Sequence, residues 1–466
     1  VLSFFNTLTR KTEPFESIEK GLVKLYACGP TVYHFAHIGN LRTYVFEDIL
    51  RRTLQKAGYE VQHVMNITDV GHLESDADEG QDKMEKAATR EAKTVWDVAK
   101  YYEDAFFVDT QKLNILPPTT ICRATDHIQE MLDFVADLEA RGFTYTVDGN
   151  VYFAIDKFPT YADFSRRNLD ELREGARVDV DERKKNPLDF VLWFSNSKFP
   201  NQIMKWPSPW GVGFPGWHIE CSAMASKYLG DRIDIHCGGI DHISIHHSNE
   251  IAQSEARFGH KWVNFWMHGE FLVLQKEKMA KSSGNFLTLA SLTDKGFDPM
   301  HYRFLCLGSH YRSQLLFSFE ALTGAKNAFE SMKNRILSFK LNPEKPKNPI
   351  RQQQLKSSFY QAIFNDLDTP VAMAITWEAL KDATLSNTEK LELLRDFDAI
   401  WGFEVDHFKA PDLSSSQMAL IKERELARTN KEWDRADVMR DQLLADGVCI
   451  KDTREGTVWY LDLPIR

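Results

Sequence analysis

Between Val23 and Ile67 the hydrophobic period changes twice, and this restricts the possible folds more than any other feature of the chain. Val23 to Ala27 is a short, mostly apolar run that reads as a buried strand. Leu41, Val45, Ile49, Leu50 and Leu54 then recur at helical spacing as far as the stop at Gly58, and Val61 to Ile67 reads as the next strand. Strand, helix and strand in that order make a βαβ unit, which demands a parallel sheet with the helix crossing its face. The connecting loop runs Cys28-Gly29-Pro30-Thr31-Val32-Tyr33-His34-Phe35-Ala36-His37-Ile38-Gly39-Asn40. It places His37, Gly39 and Asn40 at a helix N-terminus, where backbone N–H groups and the positive end of the dipole suit a phosphate.

At 466 residues, 43% hydrophobic and 27% charged, the chain has material for roughly two to four domains with real cores. Residues 1 to 16 contain no apolar core of signal-peptide length, and no apolar run reaches the roughly eighteen residues of a membrane span. The expectation is a soluble, cytosolic protein with no membrane partner. Six cysteines at positions 28, 122, 221, 237, 306 and 449 are irregularly spaced, which suits a reducing compartment and buried or metal-bound thiols. A net charge of -10 argues against nonspecific DNA binding, but leaves room for an RNA held by local basic patches.

Cys28, Cys221, His246 and Glu250 are candidate metal ligands, because zinc takes thiolate, imidazole and carboxylate in tetrahedral sets. His246 and Glu250 are four apart, on one face of a helix. The sequence has no Cys-x-x-Cys pair of the kind a small structural zinc module uses, so such a site has to be assembled by the tertiary fold. His242 and His247 neighbour His246, and either they or Cys237 could compete for the metal.

The His37-Ile38-Gly39-Asn40 turn after a first strand resembles the His-Ile-Gly-His signature of the class I aminoacyl-tRNA synthetases. Lys278-Met279-Ala280-Lys281-Ser282 resembles their Lys-Met-Ser-Lys-Ser loop. Within the class the similarity is greatest to the cysteinyl-tRNA synthetases and covers nearly the whole chain. It is supported by Asn66 to Asp69, Gly216 to Met224, His236 to Asp241 and Asn249 to Glu255. Cys237, Ser248 and Ala280 depart from the glycine, glutamate and serine usual there.

The resemblance implies an ATP-dependent, AMP-forming ligase that uses Mg²⁺ with its ATP and forms cysteinyl-adenylate. It then esterifies the terminal adenosine of tRNA(Cys), with one zinc ion on Cys28, Cys221, His246 and Glu250. A thiol-seeking metal explains how cysteine is told from serine, since shape alone yields about one to two orders of magnitude, whereas an unmet polar or metal demand reaches about 10⁴ to 10⁵. No separate editing domain is then required. His37, Asn40, Lys281 and, more weakly, Lys278 would stabilise charge in the activation step. Pro30, Thr31, His37, Gly39, Asn40 and Lys281 would hold ATP, and Gly29, Thr68, Trp217 and Asp241 the amino acid. Taken alone, Lys276, Lys278 and Lys281 read as a solvated turn; it is the paired signature that gives them a role.

The implied architecture is α/β. A Rossmann-type parallel-sheet nucleotide-binding domain (1–124 and 206–316) is interrupted by a connective-peptide insertion (125–205). An α-helical bundle (317–408) and a small α+β anticodon-binding module (409–466) follow. The insertion should contain a helix from Asp126 to Ala140 and a hairpin turning at Asp148-Gly149. Residues 74 to 93 are charged and poor in bulky apolar side chains, suggesting a mobile loop or exposed helix. In the last module Arg428, Trp433, Asp437 and Asp452 are the candidate readers of unstacked bases, and a monomer is expected. Two rival readings are a cysteine:amino-sugar ligase, which needs no RNA-reading module, and a catalytically dead RNA-binding paralogue. Gly211-Val212-Gly213-Phe214-Pro215-Gly216 matches a dinucleotide fingerprint, but it follows no strand and Pro215 spoils the helix entry, so a nicotinamide or flavin site is not expected.

Overall fold

The computed structural model describes residues 1–69, 87–88, 93–166, 183–196, 203–274, 287–409, 413–453 and 456–461. The chain divides into two compact units, the first built mainly from residues 1–299 and the second mainly from 318–363 and 369–466.

The first unit opens with a hairpin of β1 (Ser3–Asn6) and β2 (Lys11–Pro14). The expected βαβ unit follows as β3 (Leu22–Ala27), α1 (Ile38–Lys56) and β4 (Glu60–Ile67). Next come α2 (Val95–Lys112), β5 (Thr120–Arg123), a short 3₁₀ turn and α3 (Ile128–Ala140). The helix expected from Asp126 therefore begins two residues later, because Ala124–His127 is wound into the 3₁₀ turn and His127 bonds back to the carbonyl of Arg123 at 2.6 Å.

An antiparallel sheet is then inserted, with β6 (Thr144–Val147), β7 (Asn150–Phe153), β8 (Phe190–Phe194) and β9 (Phe214–Pro215) in that order. Asp148 and Gly149 turn the first hairpin with φ of 49° and 84°, the two positive values that a tight two-residue turn requires. The Gly211–Gly216 stretch is explained by this sheet. Trp193 and Phe194 of β8 pair with Pro215 and Phe214, and a Cβ on Gly213 would lie 1.9 Å from the Phe194 carbonyl oxygen. The glycine is there for strand contact, not for a nucleotide.

The chain returns through α4 (Ile219–Leu229), β10 (Ile233–Gly239), α5 (His246–Phe258) and β11 (Val263–Gly269). The central sheet has the order β11-β10-β3-β4-β5, and every neighbouring pair is parallel. Its strands β4 and β10 are buried along most of their length, as strands covered on both faces are, although Gln62, His63, Asn66, Asp234 and His236 interrupt the apolar residues. From the central pair β3 and β10 the chain winds outward in opposite directions. The carboxyl ends of these two strands therefore border a switch point, where open α/β sheets leave a crevice.

The second unit is helical, including α6 (Phe319–Leu341), α7 (Pro349–Phe364), α8 (Thr369–Lys381) and α9 (Asn387–Trp401). Phe359 stacks on Phe397 with ring centroids 3.8 Å apart, and the fully buried Arg303 donates through Nε to the Trp401 carbonyl at 2.7 Å. Towards the C-terminus α10 (Ser415–Thr429) and α11 (Trp433–Ala445) precede the hairpin of β12 (Val448–Thr453) and β13 (Gly456–Leu461). Among the described residues no helix is long and apolar enough to cross a membrane.

The close approach of β9 to β8 yields a stability test. Gly213→Ala should cost about 1–3 kcal/mol, as overpacking against backbone does, measured by denaturant unfolding. An unchanged midpoint would refute the contact.

Candidate active site

Cys28 is the first residue after β3, and its backbone N–H donates to the Cys237 carbonyl on β10 at 3.3 Å. The switch point thus places its thiol between the two central strands. Gly29 then passes so close to β4 that a Cβ there would lie 1.7 Å from the Asn66 carbonyl oxygen; its N–H donates to the Asn66 side chain at 2.9 Å. The loop continues beside Thr68, whose N–H donates to the Pro30 carbonyl and whose carbonyl accepts from Val32. A cleft of about 300 Å³ results, lined among others by Cys28, Pro30, Thr31, His37, Asn40 and Asp241.

At its edge α1 begins with a reciprocal cap. His37 N–H donates to Asn40 Oδ1, and Asn40 N–H donates to His37 Nδ1, both at 3.2 Å. The Ile38 N–H meanwhile donates to the Leu287 carbonyl at 2.8 Å, and Thr288 pairs with His37 in an antiparallel bridge. Two N–H groups of the first turn expected to face a phosphate already have acceptors in this conformation. Gly39 sits under the His37 ring, where a Cβ would come within 2.9 Å. Burial lowers the His37 pKa while nearby Asp241 opposes the shift, so the ring is neutral at pH 7. Asp241 follows β10 and folds back over Gly239, whose absent Cβ would lie 2.3 Å from its Oδ1.

Deeper in, one ligand atom from each of Cys28, Cys221, His246 and Glu250 lies within 4.8 Å of every other. Cys221 comes from the first turn of α4, and His246 and Glu250 from successive turns of α5. The Glu250 carboxylate has no exposed surface and lies 3.0 Å from His246 Nε2 and 3.9 Å from Cys28 Sγ. Such separations are close to the edges of a tetrahedron with zinc bond lengths of about 2.0–2.3 Å, so this donor set fits the ion. Burial would raise the Glu250 pKa, but the charges and hydrogen bonds of His236 and His246 hold it down at about 2. A hydrogen bond from Cys28, and then His246, lower Cys221 to about 6 despite burial, whereas desolvation pushes Cys28 well up.

Sequence reading named His247 as a possible competing ligand but gave no role to His218, His236 or His268 around this set. Glu250 Oε2 pairs with His236 Nε2 at 2.9 Å, and His246 Nδ1 lies 2.8 Å from His218 Nδ1, leaving Nε2 to face the ligand set. His247 Nε2 is 3.4 Å from Cys28 Sγ, while its Nδ1 meets His268, which in turn meets Thr7. Cys28, His236, His247 and Glu250 consequently form a second, overlapping convergent set, fully buried. The only signal in the sequence was the density of histidines from 236 to 247. Cys237 is buried in β10 and belongs to neither set among the described residues.

Neither Thr68 nor Trp217 lines the cleft, although Thr68 bonds to Pro30 and Val32, which do. The Thr68 hydroxyl donates to the buried Glu220 at 2.6 Å, and Trp217 packs with Tyr152, Phe194 and Phe214 of the inserted sheet. Lys278 and Lys281 fall outside the described residues, as does most of 74–93. In the C-terminal module Asp452 is clamped by Arg424 through two bonds of 2.9 and 2.8 Å and by Arg428 at 2.7 Å. The Arg428 guanidinium lies 5.8 Å from the exposed Trp433 ring, and Arg440 pairs with Asp437 at 3.2 Å.

The family model described as the tRNA synthetases class I (C) catalytic domain matches residues 14–327, and the cysteinyl-tRNA ligase anticodon binding domain matches 410–459. A cysteine–tRNA ligase of Treponema denticola is 46% identical, with 98% of this chain and 99% of that protein covered. Cysteine–tRNA ligase 1 of Burkholderia lata is 45% identical over 98% and 96%, and the enzyme of Borreliella burgdorferi is 42% identical over 98% and 99%. Among solved structures, Mycobacterium tuberculosis methionyl-tRNA synthetase in complex with methionyl-adenylate shares the fold at a TM-score of 0.59. It is 14% identical, over 84% of this chain and 94% of that one. The chain belongs to the cysteine–tRNA ligases, ATP-dependent enzymes of the class I aminoacyl-tRNA synthetase family.

Proposed function

We propose that this ligase selects cysteine by its sulfur, on a zinc ion held by Cys28, Cys221, His246 and Glu250. The observation that carries this reading is the convergence of two thiols, an imidazole and a carboxylate within 4.8 Å beside the cleft. This set is favoured over its overlapping neighbour because it includes the partly exposed His246, and a catalytic metal keeps an open position. Bound there, zinc would supply a Lewis-acid seat that prefers a thiolate to a hydroxyl and lowers the thiol pKa.

The chain's own residues then orient the reaction. Gly29 lets the loop lie flat against β4, so that a substrate backbone can approach Pro30 and Thr31. Asp241 is placed to accept the substrate ammonium or a ribose hydroxyl. The amino-acid carboxylate attacks the α-phosphate of ATP, whose pyrophosphate leaves with Mg²⁺. His37 donates to the developing charge through Nε2 as a neutral imidazole and Asn40 through its Nδ2 amide, since the reciprocal cap engages only the acceptor atoms of these side chains. Lys281, and secondarily Lys278, would neutralise the leaving group. Thr68 and Trp217 support the thiol pocket from behind. Transfer to tRNA(Cys) would use the insertion at 125–205 near the acceptor end, and the module at 409–466 for the anticodon. There Arg428, Trp433 and Asp437 offer planar and acidic groups, while Asp452 acts by holding Arg428. The 317–408 bundle would connect the catalytic and anticodon modules, with the chain acting as a monomer.

Four outcomes test the reading. Cys221→Ser should lose zinc by metal analysis and lower cysteine-dependent ATP–pyrophosphate exchange by more than the roughly 10–100-fold typical of outer-shell losses, with circular dichroism unchanged. Unfolding together with metal loss would indicate a structural site instead. His218→Ala, which frees the His246 ring, should weaken zinc affinity about 10–100-fold. Lys281→Ala should slow adenylate formation about 10²–10³-fold while leaving the cysteine Kd nearly unchanged; equal effects on both would contradict a transition-state role. Removal of residues 412–466 should impair tRNA charging and spare pyrophosphate exchange.

A further inference from the structure

A second cavity, of about 360 Å³, lies between α1, β4, α2 and residues 114–118. Only Tyr44 and Phe106 line both this space and the catalytic cleft. Its volume falls within the roughly 300–1,000 Å³ of small-molecule sites. Gln111 and Pro117, both exposed, stand at its rim.

Most of the wall's surface is apolar, with Met65, Phe106, Phe107 and Leu116 prominent, yet Glu47, Asp48, Arg51 and His63 also belong to it. Glu47 is 1% exposed and neither of its carboxylate oxygens meets a hydrogen-bond partner; His63 is 4% exposed and neither ring nitrogen meets one. Their neighbours are better matched, although Arg51 Nε is also buried without a partner. Asp48, one residue along α1, accepts from Arg52 Nε at 2.8 Å and from the Leu116 N–H at 2.9 Å, and Arg51 Nη1 donates to the Pro117 carbonyl. Native folds leave few buried polar groups unpaired, so two side chains with every polar atom unpaired on one cavity call for a partner that fills it.

Their chemistry defines that partner. Desolvation raises the Glu47 pKa well above the carboxylate range; the same effect, aided by the Arg51 charge, lowers His63 to about 3. Both shifts favour the uncharged form, in which each side chain presents one donor and one acceptor. The complement is a flat molecule with apolar faces and an edge that carries an acceptor nitrogen next to an N–H donor. A cation would meet Arg51 on the same wall.

We propose that this cavity binds a small planar, uncharged N-heteroaromatic amine of the aminopyrimidine type, through Glu47 and His63. The test uses the full-length protein, calorimetric titration with 2-aminopyrimidine and with toluene as its apolar shape-mate, and a crystal soaked in 2-aminopyrimidine. Density for 2-aminopyrimidine is expected against Glu47 and His63. Toluene should bind about tenfold more weakly or worse, as the loss of hydrogen bonds implies. Glu47→Leu keeps the volume and removes the acid, and should weaken 2-aminopyrimidine by about tenfold while sparing toluene. His63→Phe makes the same comparison should Glu47→Leu fail to fold. Equal affinity for the two probes, affinity indifferent to both substitutions, density in the catalytic cleft alone, or ordered water as the cavity's sole occupant would each overturn the proposal.

Discussion

Removing a carboxylate from water costs several kcal/mol even after the surroundings relax, and Glu250 carries its charge with no exposed surface. The fold tolerates this by bringing histidines to both of its oxygens, His246 to one and His236 to the other. Each of those histidines comes from a separate element at the switch point of the parallel sheet. The charge that needs compensation and the crevice that receives substrate are therefore products of one topological fact, the divergence of the chain from β3 and β10.

Around that centre the supports are polar and interlocked. His218 fixes one nitrogen of His246 so that the other faces the ligand set, and the chain from Cys28 through His247 and His268 to Thr7 anchors the opposite side. Gly238 makes this crowding possible, since a Cβ there would lie 2.5 Å from His242 Nδ1 and 2.9 Å from His247 Cε1. At the cleft edge the balance differs. The cap between His37 and Asn40 is a pair of neutral hydrogen bonds at 3.2 Å, which is weak enough to exchange for contacts with substrate.

The βαβ unit was readable within a residue or two because the apolar spacing shifts from strand to helix and back. The turn at Asp148-Gly149 was equally plain, because few residues adopt positive φ twice in succession. Cys28, Cys221, His246 and Glu250 could be chosen from sequence only with the help of the family signatures, since 193 residues separate the first two. His218, His236 and His268 escaped notice because a histidine that orients a ligand looks, in sequence, like any histidine in a core. Asp452 illustrates the reverse. A carboxylate next to basic helices suggests base contact, but its two arginines engage it within the module.

The sequence by itself determined the local elements, the two signature loops and the types of chemistry available, because periodicity, turn residues and side-chain donors are properties of short segments. Which of the two overlapping donor sets includes a partly exposed histidine, which helix N–H groups are already engaged, and where Glu47 and His63 lie unpaired were decided by tertiary structure alone. Those outcomes depend on distances between atoms tens to hundreds of residues apart, and such distances are set only when the sheet closes its strand order and excludes water.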